Sequence, residues 1–184
     1  MDLNKSREIV ENILLSSNVE ESIIENEELL FQQIPELKSE KGFEQRSKWH
    51  CYDVWYHTIH AIKNSAMKVD VRVILLLHDI GKPFSFQDEG DSRHFKGHAE
   101  KSAEMAETIL KRLGYSDDET EEYCFYIRNH ATTISRDMLN DYNIEKCRKL
   151  LQIQYSDASA YAPEYTQRIK EKLDGIKTLI EKND

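Results

Sequence analysis

Six side chains in this sequence have the type and the setting to hold a cation: His57, His78, Asp79, His98, His130 and Asp157. The stretch VRVILLLHDIGKP, residues 71–83, is the most informative. An apolar run interrupted only by Arg72 ends in His78-Asp79, and the turn Gly81-Lys82-Pro83 follows at once. A histidine at a helix end suits the helix dipole, and Gly-Lys-Pro stops a helix, so this dipeptide alone has a structural explanation. Imidazole and carboxylate are also the commonest non-thiolate metal ligands. Each of the other four can be explained singly too: His57 as a hydrogen-bonded core residue, His130 as a helix-end residue, His98 as the start of a helix and Asp157 as a cap. Taken together, four imidazoles and two acids fall on five separate predicted helices at inward positions. Buried acids need a partner or a cation, and helical bundles build metal sites from the inward side chains of facing helices.

The elements that must position these residues read as helices almost throughout. Periodicity predicts helices over residues 4–16 and from about Val19 to Gln32, then a polar break after Pro35. A helix from Asp53 carries Val54, His57, Ile59, Ile62 and Met67 on one side. Asp70 is placed as the cap of a helix buried on all sides, from Val71 to Leu77. Residues 84–97 have no period and are predicted as a loop. The clearest helix starts at His98 and ends at Gly114. An acidic first turn after Ser116 opens the helix that leads to His130. Two more follow, one through Asp157 and one from Pro163, the latter with Ile169, Leu173, Ile176, Leu179 and Ile180 inward. The expected fold class is all-α, a bundle of about seven or eight helices. Residues 1–40 would form a helical extension packed on the core, and residues 41–184 the main domain with its C-terminal amphipathic helix.

Bulk properties exclude several functions. The 184 residues suit one domain. A formal charge of −9 removes the basic footprint of an extended nucleic-acid surface, although a metal could still hold a nucleotide locally. Cys51, Cys124 and Cys147 are odd in number and widely spaced, so they read as packing residues in a reducing, cytoplasmic setting. No apolar run is long enough to span a bilayer, and the first residues lack a signal-peptide core.

The order His57, His78-Asp79, His98, His130 and Asp157 resembles the HD-domain phosphohydrolase pattern. The segments KWHCYDVWYHT, LLLHDIGKP and HFKGHAEKSAEMAETILKRL are similar, more specifically, to the HD domain of bacterial CCA-adding tRNA nucleotidyltransferases. The likeness covers roughly residues 25–160, and residues 48–113 carry most of it. Nothing upstream resembles the nucleotidyltransferase head, so the expectation is a free-standing HD domain to which CCA addition does not transfer. The resemblance implies metal-dependent phosphatase or 2′,3′-cyclic phosphodiesterase activity. It makes His57, His78, Asp79 and Asp157 the core ligands and adds His98 and His130 for a second ion, with Asp79 bridging. Two divalent transition ions are expected, of Fe, Mn, Zn, Ni or Co.

A metal-activated hydroxide would then attack phosphorus in line with the leaving oxygen, and Asp79 is counted with the catalytic groups as the bridging ligand. Lys82, directly after the HD turn, is the first candidate for a phosphate contact and for catalysis. Arg93 and Lys96, in the loop before His98, are further substrate contacts, and His94 is a candidate acid for the leaving group. Trp55, Tyr52 and Tyr56 could stack a base, but their place in a buried helix favours core packing. The expected partners are a phosphorylated small molecule, a nucleotide or an RNA-end phosphate. The alternative is a regulatory module that binds a nucleotide without turning it over.

Overall fold

The computed structural model describes residues 3–183. Among them are ten α-helices and one short hairpin. In chain order these are α1 (Leu3–Leu14), α2 (Val19–Glu25), α3 (Glu27–Gln33), α4 (Val54–Lys63), α5 (Val69–Leu77), β1 (Gln87–Glu89), β2 (Ser92–His94), α6 (His98–Leu113), α7 (Asp117–Asn129), α8 (Arg136–Asp141), α9 (Ile144–Ala158) and α10 (Pro163–Glu181). The fold is all-helical, as expected.

Local chemistry sets the boundaries of the helices that matter for the site. Asp53 caps α4, accepting the Tyr56 amide at 2.7 Å, and its other oxygen accepts the Gly42 amide at 2.7 Å. Ser116 and Glu119 form a reciprocal capping box at the start of α7, and Asn143 caps α9. Gly97 and Gly114, both at positive φ, bracket α6.

From Val71 to Leu77 every residue of α5 is buried, Arg72 included. The Arg72 guanidinium donates to the carbonyls of Leu14 and Ser16 just beyond α1, so the one charge in the apolar run satisfies orphaned helix-end acceptors. Helix α5 packs against α1, α4, α7 and α9. One continuous apolar core runs from Val10 in α1 to Ile180 in α10. Burial of that core drives the fold, and α5 at its centre delivers His78 and Asp79 to the interior.

Several expectations change. The predicted helix over Val19–Gln32 is two helices with a break at Asn26, whose side-chain amide donates back to the Ser22 carbonyl. That turn leaves Ile24 about half exposed. Helix α4 stops at Lys63, so Met67 lies outside it and in solvent. Lys68, rather than Asp70, occupies the cap position of α5; Asp70 lies in the first turn and pairs with Lys149 at 2.7 Å. Residues 84–97 hold the antiparallel hairpin β1–β2, with Gln87 opposite His94 and Asp88 opposite Arg93. Cys124 and Cys147 are buried, but Cys51 sits exposed ahead of α4, outside the core.

Candidate metal centre

The six side chains singled out in the sequence meet at one point. Asp79 lies at its middle, 1 % exposed, and its two oxygens face different ways. Oδ2 is 3.5 Å from His57 Nε2 and 3.3 Å from His78 Nε2. Oδ1 is 3.4 Å from His98 Nε2 and 3.6 Å from His130 Nε2. Asp157 joins the Oδ2 side, with its Oδ1 2.8 Å from His57 Nε2 and 3.5 Å from His78 Nε2. On the other side the His98 and His130 Nε2 atoms are 3.2 Å apart. His57, His78 and Asp157 form one group able to hold an ion, and His78, Asp79 and His130 another.

Local structure fixes the aim of each ring. Nδ1 of His78, His98 and His130 lies 2.6–2.7 Å from the carbonyl three residues earlier, that of Leu75, Phe95 and Ile127 respectively. His57 Nδ1 faces the Ala160 carbonyl at 3.3 Å. A carbonyl only accepts, so each Nδ1 carries a proton, and in its neutral form each ring presents a bare lone pair at Nε2. Four Nε2 atoms and two carboxylates therefore point at one another. His57 Nε2 and Asp157 Oδ1 at 2.8 Å are two acceptors unless a cation, a proton or a metal ion, lies with them. Asp79 Oδ1 and His78 Nε2 are buried with no hydrogen-bond partner, and Asp79 Oδ2 has the Lys82 ammonium 2.6 Å away. The residues present thus fit divalent transition-metal binding, with the backbone carbonyls as orienting partners.

The electrostatics carry the same message. Burial alone would lower the His78 pKa, yet Asp79 and Asp157 beside it push it up to about 10. Burial works against the charge on Asp79 and Asp157, and the neighbouring histidines hold both acids well below the carboxylate range. For Asp79, Lys82 adds to that effect. His130 is held down at about 4 by burial and by His78, and burial lowers His98. The centre is thus rich in negative charge on the Oδ2 side and offers neutral donors on the Oδ1 side.

Two close contacts hold these elements in register. Gly81 presses against the first turns of α6: its amide donates to Ser102 Oγ at 2.9 Å, and a Cβ there would lie 2.5 Å from the Ser102 nitrogen and 2.8 Å from the His98 carbonyl oxygen. Only glycine allows this approach of the HD turn to the helix that begins with His98. Lys82 folds back so that its Nζ pairs with Asp79 Oδ2 at 2.6 Å and donates to Gln45 Oε1 at 2.7 Å.

The remaining sequence candidates lie elsewhere. Arg93 is held between the rings of Phe43 and Phe86, pairs with Asp88 at 2.7 Å and donates to the Glu44 carbonyl. His94 is exposed on β2, 3.3 Å from Glu89. No hydrogen bond or ion pair among the described residues joins Arg93, His94 or Lys96 to the centre. Trp55 is fully buried, donating to Glu27 at 2.7 Å, and Tyr52 stacks on His60. Two groups near the centre escape sequence reasoning. Tyr161, past the end of α9, packs 5.7 Å from the His57 ring, and half-buried His50 lies against both rings with neither nitrogen hydrogen-bonded. Neither has a signal in the sequence, because long-range folding alone brings them there.

Comparison with known proteins agrees with this geometry. The family model for the HD domain matches residues 50–171, about two thirds of the chain and all six converging residues. The chain belongs to the HD domain family. That family lies within a superfamily of metal-dependent phosphohydrolases. Among curated proteins, the A-adding tRNA nucleotidyltransferase of Deinococcus radiodurans is 30% identical over 111 residues, 56% of this chain and 25% of that protein. The CC-adding tRNA nucleotidyltransferase of Thermus thermophilus is 30% identical over 115 residues, 59% of this chain and 26% of its own. The HD chain therefore spans about a quarter of the length of these relatives. No helix among the described residues is long and apolar enough to cross a membrane.

Proposed function

We propose that this HD protein is a metal-dependent phosphohydrolase, a phosphomonoesterase or 2′,3′-cyclic phosphodiesterase acting on a nucleotide or an RNA-end phosphate. The observation that carries the reading is the division of Asp79: Oδ2 faces His57 and His78, and Oδ1 faces His98 and His130. That division suits two ions sharing one carboxylate, with Asp157 completing the Oδ2 side. Divalent ions bound there make a water nucleophilic near neutral pH and neutralise charge on phosphoryl oxygens.

The chain's own residues do the rest. The four carbonyl-anchored Nδ1 protons keep the Nε2 atoms aimed at the centre. Lys82 fixes Asp79 from the buried side and offsets part of its charge; at 5 % exposure it acts through that carboxylate. Nucleotide and RNA chemistry in the two relatives makes phosphate esters of nucleosides the first substrates to try, and a cytoplasmic setting fits the free thiols.

The test is a hydrolysis screen of nucleoside monophosphates, 2′,3′-cyclic nucleotides and 3′-phosphorylated RNA with manganese or cobalt, alongside elemental analysis. We expect more than one equivalent of transition metal and turnover of at least one class. Well under one equivalent after chelator-free purification would overturn the metal assignment. Full metal with no turnover of any ester would favour a nucleotide-binding regulatory module.

A further inference from the structure

A cavity of about 470 Å³ opens beside the metal centre and shares His130 and Asp157 with it. This size falls in the usual range for small-ligand sites, about 300–1,000 Å³. Its far wall is the face of α10 carrying Ile169, Leu173 and Ile176. Ile169 and Ile176 are only partly covered by the core, so the helix leaves apolar surface facing the cavity.

Two of its polar side chains bear directly on a ligand. Gln154 is 93 % buried on α9, and its amide nitrogen donates to the Thr132 carbonyl at 2.7 Å. That bond settles which end of the amide is which, and the Gln154 carbonyl oxygen is left buried without a partner. An orphaned acceptor of this kind calls for an N–H or O–H donor. Lys172 stands exposed on the cavity wall and forms no ion pair with any described residue. The cavity therefore combines an aliphatic wall, one unfilled acceptor, one exposed cation and a lining that includes His130 and Asp157 of the candidate metal centre.

Resting on the phosphohydrolase reading, we propose that this cavity binds the nucleoside of a nucleoside monophosphate, with the phosphate at the metal centre. A nucleobase has apolar faces for the isoleucine and leucine wall and N–H edges that the Gln154 oxygen accepts once its side chain turns toward the cavity. A sugar phosphate or inorganic diphosphate is polar on all sides and gains nothing from that wall. Lys172 adds favourable charge for an anionic ester in a chain whose net charge is −9. Lys172, Leu173 and Ile176 lie beyond residue 171, where the family match ends. Substrate choice is thus assigned to this chain's own last helix, while the family segment supplies the metal ligands.

The experiment compares wild type with Lys172→Glu and Thr133→Trp, both changes at exposed positions of the cavity, with thermal melts confirming that each folds. The manganese-loaded proteins are assayed with adenosine and uridine monophosphates and with glycerol phosphate, which has no ring. Calorimetry measures nucleotide binding to metal-stripped Asp79→Asn protein with and without the cavity changes. We expect Thr133→Trp to lose about ten-fold in kcat/KM on nucleotides, chiefly through KM, and less than about two-fold on glycerol phosphate, while Lys172→Glu, which reverses a charge that every anionic ester meets, loses on both. Nucleotide binding to the metal-stripped protein should weaken in parallel. Equal wild-type efficiency on glycerol phosphate and nucleotides, or equal losses on both in Thr133→Trp, would overturn the cavity proposal and leave the hydrolase reading standing. Binding that the cavity changes weaken, with no turnover of any ester, would uphold the cavity and overturn the hydrolase reading.

Discussion

The two sides of Asp79 are built from the same residue types and differ in charge and cover. The Oδ2 side joins His57 and His78, each 0 % exposed, to a second carboxylate, Asp157. The Oδ1 side has His98 and His130 and no second acid, and the His98 side chain is 18 % exposed. A cation on the first side is offered two carboxylates, that of Asp79 partly offset by Lys82, beside fully buried imidazoles; one on the second shares a single carboxylate next to the more exposed His98. Identical donor atoms thus do not make equal sites. The Oδ2 side should bind first and release last, and the Oδ1 side should be the exchangeable one.

The most damaging change should be Asp79→Ala, because both sides lose their shared ligand. Bound transition metal and hydrolysis should both fall to background while circular dichroism still reports a helical protein. Retained stoichiometric metal in that variant would break the comparison outright.

Next in size is the response to pH. In the absence of metal His78 carries a proton up to about pH 10, so an ion entering the Oδ2 side must displace it. Affinity there should rise by roughly ten-fold per pH unit between 7 and 9, with about one proton released per ion. His130 is already neutral above about pH 4, so binding on the Oδ1 side should be nearly flat over the same range. Metal titrations with proton counting at three pH values separate the two, and equal slopes would remove the asymmetry.

His130→Ala should sharpen the contrast by leaving one tightly held equivalent of metal in place of two, as read by elemental analysis after dialysis. Loss of both equivalents would mean that the sides are not separable. A smaller effect is expected from Gly81→Ala. Its Cβ would meet the α6 backbone at 2.5–2.8 Å, and overpacking of this kind costs about 1–3 kcal/mol. The melting temperature should drop, and metal on the His98 side should become easier to remove than in wild type.

How much of this was legible in the sequence depends on what each residue's neighbours reveal. His78 and Asp79 announced themselves because an apolar run ends on them, and His98 because an amphipathic helix starts on it. Converging them needed only the premise that buried acids require a cation. Hairpin β1–β2 left no trace, since Gln-Asp-Glu and Ser-Arg-His have no apolar alternation and β1 is wholly exposed. Helix α8 was equally silent, a six-residue turn with no buried residue and so no stripe. Lys82 was found, but its return onto Asp79 could not be, because a long flexible side chain takes its direction from tertiary contacts with Gln45 and Phe95. Arg93 shows the opposite case: its charge suggested a ligand contact, and the fold spends it on fastening the hairpin between two phenyl rings. Tyr161 and Gln154 sit among small and polar residues with no pattern to set them apart.

The seam between Gly81 and α6 has one more implication. Main-chain atoms close it, so the gap between the two halves of the metal centre is fixed before any ion arrives. Were two ions to share Asp79 as proposed, their spacing would be set by the scaffold, like the jaws of a calliper locked at one setting. Ions of unsuitable radius would be refused by a dimension that no ligand substitution alters.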